Sequence, residues 1–160
     1  MMLEQKTVET LKMIYEKLKG EEVKWVLTGS TNLALQGLKI KPKDIDILTD
    51  KEDAFKINKL LKEYETEPVK LRKSNIFQSY FGKFKIKELN VEVMGNLKVK
   101  TGGKWTPSRG LEHRTTINFE GMYLPVLSLN EELKSYEKLG RKKDSIRIRK
   151  IKEALKRLGN

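Results

Sequence analysis

The stretch that most constrains this chain runs Trp25-Val26-Leu27-Thr28-Gly29-Ser30, then thirteen residues, then Asp44-Ile45-Asp46-Ile47. An apolar run ending in Gly-Ser reads as a buried strand that opens into a helix, here a short one over 30–36 closed by Gly37. The second apolar run carries two carboxylates two residues apart. Side chains alternate along a strand, so Asp44 and Asp46 share one face while Ile45 and Ile47 enter a core on the other. Carboxylates fixed side by side repel each other, and a fold that keeps them supplies a cation between them. At the mouth of a helix the unpaired N–H groups and the dipole favour an anion. Gly29 and Ser30 are therefore candidate phosphate contacts, beside a candidate seat for a divalent cation.

Two acids make half of a two-metal site, and a third carboxylate on a neighbouring strand completes such a set. The segment Asn90-Val91-Glu92-Val93-Met94-Gly95 offers one. Val91 and Val93 point one way and Glu92 the other, so Glu92 repeats the pattern of an acid set in an apolar alternation.

Composition narrows the function further. The 160 residues suffice for one domain with a real core. Cysteine is absent, which excludes disulfides and thiolate metal sites, and the single His113 makes a Ser-His-Asp hydrolase depend on one residue in a polar segment. No run of 18 apolar residues occurs, and Met1–Lys6 lacks the charged-then-apolar pattern of a leader, so a cytoplasmic protein is expected. The formal net charge is +12, and the last twenty residues carry nine Lys or Arg against Asp144 and Glu153. This balance attracts a polyanion such as nucleotide phosphates, RNA or an acidic partner protein. The Lys/Glu-rich, Cys-free composition is also that expected of a thermophile.

The remaining pattern predicts a mixed α/β (α+β) fold. Val8, Leu11, Ile14, Tyr15 and Leu18 follow helical spacing, stopped by Gly20. Asp50 reads as an N-cap, with Asp53 in the capping-box position, before a helix bearing Ala54, Ile57, Leu61 and Tyr64 on one face. Strands are expected around 77–85 and 89–94, with a turn at Lys87-Glu88. Hairpins are expected at Gly102-Gly103 and Glu120-Gly121. Two C-terminal helices, about 130–139 and 143–158, are separated by Gly140; the second has a stripe of Ile148, Ile151, Leu155 and Leu158. Residues 1–126 read as the core and 127–160 as a helical extension packed on the same domain. Trp25 reads as core, Trp105 as hairpin packing, His113 as surface, and 97–110 as a flap.

The segment 27–48 resembles the signature of the polymerase-beta-like nucleotidyltransferase superfamily: Gly-Ser opening a helix, a spacer, then Asp-x-Asp on the next strand. Within it the chain is similar to the small stand-alone nucleotidyltransferases and the related antitoxin-system enzymes. The run Val126-Leu127-Ser128-Leu129 and then Tyr136 through Asp144 resembles their C-terminal helical motif, where a basic pair faces the nucleotide. The resemblance implies a mixed sheet flanked by helices and transfer of a nucleoside monophosphate from an NTP, with ATP favoured, to a hydroxyl, releasing pyrophosphate. It implies Asp44, Asp46 and Glu92 as catalytic residues and ligands of Mg2+ or Mn2+, and Gly29, Ser30, Lys138, Arg141 and Lys143 as nucleotide contacts. Many relatives have Asp where Glu92 stands. Many also carry a second acid near the position of Arg147. The acceptor is left open between RNA, protein and small molecule, a homodimer is compatible with an open-edged sheet, and the competing reading is a nucleotide-binding sensor or regulatory partner.

Overall fold

The computed structural model describes residues 3–159; Met1 and Met2, the start of the stretch read above for a leader, and Asn160 lie outside them. Among the described residues one mixed, open sheet of eight strands carries five α-helices. The chain runs α1 (Gln5–Leu18), β1 (Trp25–Thr28), α2 (Gly29–Leu35), β2 (Ile45–Thr49), α3 (Lys51–Leu60), β3 (Glu65–Lys73), β4 (Phe77–Ile86), β5 (Leu89–Thr101), β6 (Lys104–Pro107), β7 (Arg114–Phe119), β8 (Met122–Leu127), α4 (Leu129–Leu139) and α5 (Ser145–Arg157). Across the sheet the order is β3-β4-β5-β2-β1-β8-β7, with β6 added to the far end of β5. β2 lies antiparallel to β1 and parallel to β5, and β1 lies parallel to β8. No helix among the described residues is long and apolar enough to cross a membrane.

Period-two alternation divides the sheet into two unlike faces. One face presents Leu27, Ile45, Ile47, Val91, Val93 and Phe84, buried under Leu11, Ile14 and Leu18 of α1 and Ala54 and Ile57 of α3. The other begins with Thr28, Asp46 and Glu92, neighbours on three adjacent strands, and continues as the apolar set Val26, Leu48, Met94 and Leu127. A second apolar cluster joins Leu33 and Leu38, in and after α2, to Leu129 and Tyr136 of α4 and Ile151 and Ala154 of α5. Both C-terminal helices are thereby fixed beside the Gly-Ser end of β1.

A bulge shapes the long strand. β5 spends one residue more than β4 between the pairs Tyr80↔Gly95 and Gln78↔Lys98, and Asn96 there takes φ +49°. Asn tolerates this left-handed backbone better than most residues, and its Oδ1 accepts the Lys51 N–H at 3.0 Å, pinning the bulge to the start of α3. The extra residue inverts the alternation, so that Leu97 and Val99, rather than Lys98, follow Met94 on the carboxylate side.

The three turn signals hold: Lys87-Glu88, Gly102-Gly103 and Glu120-Gly121 all have positive φ at both positions, as tight hairpins require. Four local expectations are corrected. β3 was not foreseen, because its sequence ETEPVKLRK buries only Val69 and holds a proline, as an edge strand permits. The strand foreseen at 89–94 continues through the bulge to Thr101. Asp50 caps α3 by accepting the Asp53 N–H at 2.8 Å, but the Asp53 carboxylate turns away to accept the Lys24 N–H at 2.9 Å, so no capping box closes. Leu158 lies past the last turn of α5 and is 69% exposed, outside the apolar stripe.

Gly95 allows β5 to pass under the start of α3: a Cβ there would lie 2.8 Å from both the Asp50 carbonyl oxygen and the Ala54 Cβ. Backbone cannot yield as a flexible side chain can. Gly95→Ala is expected to lower unfolding free energy by about 1–3 kcal/mol, read from the urea midpoint at unchanged slope.

Candidate active site

The site grows from the end of β1. Gly29 has φ +75°, a conformation glycine adopts without penalty, and a Cβ on it would sit 2.5 Å from the Asp46 Oδ2. Glycine is thus required twice, for its backbone angle and for the closeness of Asp46. Ser30 and Thr31 then hold the segment before β2. The Ser30 hydroxyl accepts the Lys43 N–H at 3.0 Å, and the Thr31 hydroxyl donates to the Asp44 carbonyl at 2.7 Å. Asp44 lies one residue before β2, not within it. It still keeps the two-residue spacing from Asp46 and raises that residue's pKa by its charge.

Thr28, Asp46, Glu92 and Lys83 form one row of cross-strand partners over β1, β2, β5 and β4, continued by Glu67 on β3. Burial, together with the charges of Glu92, Asp44 and Glu132, pushes Asp46 up to about 7, against the pull of Arg147. Glu92 is half-buried, and desolvation and the charge of Asp44 raise it while Lys83 pulls it down. Lys83 in turn reaches Glu67 at 3.8 Å, and Arg72 reaches Glu67 at 2.6 Å.

A carboxylate that the sequence did not single out sits on the other side of Gly29. Glu132, in the first turn of α4, is 2% exposed. It accepts the Gly29 N–H at 2.9 Å, the Asn32 amide at 2.7 Å and the Thr28 hydroxyl at 3.0 and 3.1 Å. Burial nonetheless pushes it up to about 7. The Gly29 N–H is thereby committed to Glu132, a constraint on its expected role as a phosphate donor. Asn32 also donates to the Leu127 carbonyl at 2.9 Å, joining α2 to the end of β8.

Beyond Asp46 opens a cavity of about 540 Å3. Its floor is Leu48, Met94 and Leu127; one wall is β5 past the bulge with residues 106–110, and the other is α4. Arg141 closes one corner, its guanidinium 5.9 Å from the centre of the Phe77 ring and its Nε 2.8 Å from Asp144. Of the residues foreseen for the site, Gly29, Asp46, Lys138 and Arg141 line this cavity. Asp44 and Glu92 stand at its carboxylate end outside the lining, Ser30 is buried behind Gly29, and Lys143 is exposed on the turn between α4 and α5, away from it. The segment 97–110, read as a flap, forms the wall as the β5–β6 hairpin, and His113, read as surface, lies on the rim 3.8 Å from Glu131.

Two more lining residues were missed. Arg147 of α5 donates to the Tyr136 hydroxyl at 3.1 Å, stands over that ring at 5.8 Å, and bears electrostatically on Asp46 and Glu132. Burial and Glu132 push Tyr136 up to about 12, so its hydroxyl keeps its proton. In the sequence Arg147 is one cation in a basic run, and Glu132 is one of two acids in a helix's first turn, where the dipole favours them anyway.

The residues that suit a metal are Asp44, Asp46 and Glu92, an all-carboxylate set of the hard oxygen type that Mg2+ or Mn2+ prefers. Burial first, and their mutual repulsion after it, raise Asp46 and Glu92, and a cation bound among them would offset both. As placed, no group of three or more His, Cys, Asp or Glu among the described residues closes into a metal cluster.

A family model described as aminoglycoside-2″-adenylyltransferase matches residues 10–151. Among solved structures, a Thermotoga maritima protein assigned as a nucleotidyltransferase superposes with a TM-score of 0.83 at 36% identity, over 93% of this chain and 94% of that one. The lincosamide antibiotic adenylyltransferase LnuA, with lincomycin bound, gives 0.60 at 15% identity over 95% and 98%. ANT(2″)-Ia in complex with adenylyl-2″-tobramycin gives 0.62 at 10% identity over 95% and 89%. At these last two identities the likeness is one of fold. No curated protein matches the chain. Fold and family together make this chain a nucleotidyltransferase, an enzyme that transfers a nucleoside monophosphate. More narrowly, it belongs to the aminoglycoside-2″-adenylyltransferase family.

Glu132→Ala removes the acceptor of the buried Gly29 N–H, of one N–H of the Asn32 amide and of the part-buried Thr28 hydroxyl, and a loss of about 3 kcal/mol of stability is expected, measured by chemical denaturation. Gly29→Ala is expected to cost about 1–3 kcal/mol and also to displace Asp46, so its transfer activity should fall further than its stability explains.

Proposed function

We propose that the chain transfers a nucleoside monophosphate from an NTP, with ATP favoured, to a hydroxyl acceptor, releasing pyrophosphate. The observation that carries this reading is the alignment of Asp46 and Glu92 on adjacent parallel strands at the carboxylate end of a cavity that Lys138, Arg141 and Arg147 make cationic. The apolar floor of Leu48, Met94 and Leu127 suits a base, and the cations suit a triphosphate. Asp44, Asp46 and Glu92 would hold Mg2+ or Mn2+, which when bound neutralises phosphate charge and makes the α-phosphorus more open to attack.

The chain's own groups have separate tasks. Ser30 and Thr31 fix the backbone that carries Asp44. Glu92, half-buried and raised in pKa, would take the proton of the acceptor hydroxyl. The acceptor oxygen attacks the α-phosphorus in line, the bond from that phosphorus to the bridging oxygen breaks, and pyrophosphate carries off the electron pair. Lys138, Arg141 and Arg147 stabilise the charge that develops on the leaving phosphates. The acceptors seen with structural neighbours, lincomycin and tobramycin, make a hydroxylated small molecule a reasonable first candidate for this chain, alongside RNA and protein.

Two measurements test the reading. Each α-labelled NTP is offered with Mg2+ to a mixture of RNA, protein and small metabolites. The parent is expected to move label, and Asp46→Asn to lose more than about a hundredfold of the rate; absence of transfer with every nucleotide overturns the proposal. The second concerns pH. Asp46, raised to about 7, must give up its proton to bind a cation, so affinity is fully present above that value and is lost as pH falls through it. Mn2+ binding followed calorimetrically should be about tenfold weaker at pH 6 than at pH 8.

A further inference from the structure

The face of the β4–β5–β6 region opposite the carboxylates is also organised, and the proposed reaction does not use it. Register places Leu71 beside Tyr80, Lys73 beside Gln78, Gln78 beside Lys98, and Lys100 beside Trp105. Cross-strand partners share a face, and so do residues two apart on one strand. Tyr80, Gln78, Lys98, Lys100 and Trp105 therefore form one stripe, which the bulge at Asn96 preserves on this side as it sends Leu97 and Val99 to the other. From α3, Phe55 joins the stripe with its ring 6.0 Å from that of Tyr80, and Lys51 places its ammonium 4.9 Å from the Tyr80 ring centre. Lys73 and Lys100 stand 5.4 and 5.7 Å from the centre of Trp105.

Two features of this stripe call for a ligand. Phe55 and Leu71 are 42% and 54% exposed, beside half-buried Tyr80 and Trp105. Lys51, Lys73, Lys98 and Lys100 have no carboxylate in ion-pair range among the described residues, and three of them rest on aromatic rings instead. Lysines elsewhere on the surface that also lack a carboxylate in range, such as Lys12, Lys59 and Lys156, stand over no ring. Flat rings in a row with unpaired ammonium groups between them offer stacking to bases and charge to phosphates. An acidic peptide would use the charges and leave the rings idle.

We propose that this face binds single-stranded nucleic acid, with bases stacked on Trp105 and Tyr80 and the backbone held by Lys73, Lys98 and Lys100. Trp105, Lys73 and Lys100 lie outside the cavity, so the nucleotide site and this face are separable. The other basic element, α5, carries Arg149, Lys156 and Arg157 with no aromatic residue along its length, and provides the control for charge alone.

The experiment is fluorescence anisotropy with a labelled twelve-nucleotide oligo(U) and, in parallel, a duplex of equal length, over a salt series. The parent is expected to prefer the single strand. Trp105→Ala should weaken oligo(U) binding about tenfold. Lys73→Glu with Lys100→Glu should weaken it at least as much and lower the salt slope by about 0.7 for each phosphate contact removed. Lys156→Glu with Arg157→Glu, the same change of charge on α5, should cost less than threefold. Circular dichroism and NTP binding identify any variant that has failed to fold, and Trp105→Phe, which keeps a ring, should restore most of the affinity. Equal binding of duplex and single strand, equal losses from the two charge-reversal pairs, or an oligomer that the Trp105 variant dissociates while oligo(U) binding is absent would each overturn the proposal.

Discussion

Gly29 is pressed between a half-buried carboxylate and a buried one, and much of the molecule is arranged to make that bearable. On one side the Asp46 Oδ2 comes so close that no side chain fits; on the other, the Gly29 N–H is held by Glu132. Neither acid is comfortable in its ionised form, since burial pushes both up to about 7. Burying two such groups near each other is costly unless hydrogen bonds and cations offset the loss of water. Glu132 is met by Thr28, Gly29 and Asn32, and Arg147 pulls on both acids from α5. What Asp46 lacks is a direct positive partner, and that deficit is the physical argument for a cation at the site.

This constraint explains why the C-terminal helices are part of the site rather than an appendage to it. Glu132 and Tyr136 come from α4 and Arg147 from α5, and all three are set by the cluster that packs Leu33 and Leu38 against Leu129, Ile151 and Ala154. The Ser128 cap starts α4 by accepting the Glu131 N–H, and Gly140, at φ +62°, ends it one residue before Arg141. Helix start and stop therefore fix which residues of α4 turn toward Gly29 and where the basic turn begins.

The parts of this arrangement that follow from a strict local period were readable before the fold was known. Alternation placed Asp46 and Glu92 opposite their apolar neighbours, and the structure makes them direct partners on parallel strands. Turn chemistry at Gly102-Gly103 and Glu120-Gly121, and helical spacing in α1, left little choice. The unread parts depend on tertiary context. β3 gains its strand character from pairing at an edge, with only Val69 to announce it. The bulge at Asn96 reverses the face of everything after it, and no residue between Leu97 and Thr101 reveals that reversal. Glu132 and Arg147 are ordinary by type and position; only the packing of α4 and α5 on α2 makes them neighbours of Asp46.

The bulge also decides how one strand serves two purposes. Without it, Lys98 and Lys100 would continue the row of Met94 and put two more ammonium groups in the cavity, while Leu97 and Val99 would face outward. With it, the cavity keeps an apolar wall, and the lysines meet Trp105 on the opposite side. A single inserted residue, held by one hydrogen bond from Lys51 to Asn96, thus separates an apolar, carboxylate-ended surface from a basic, aromatic one.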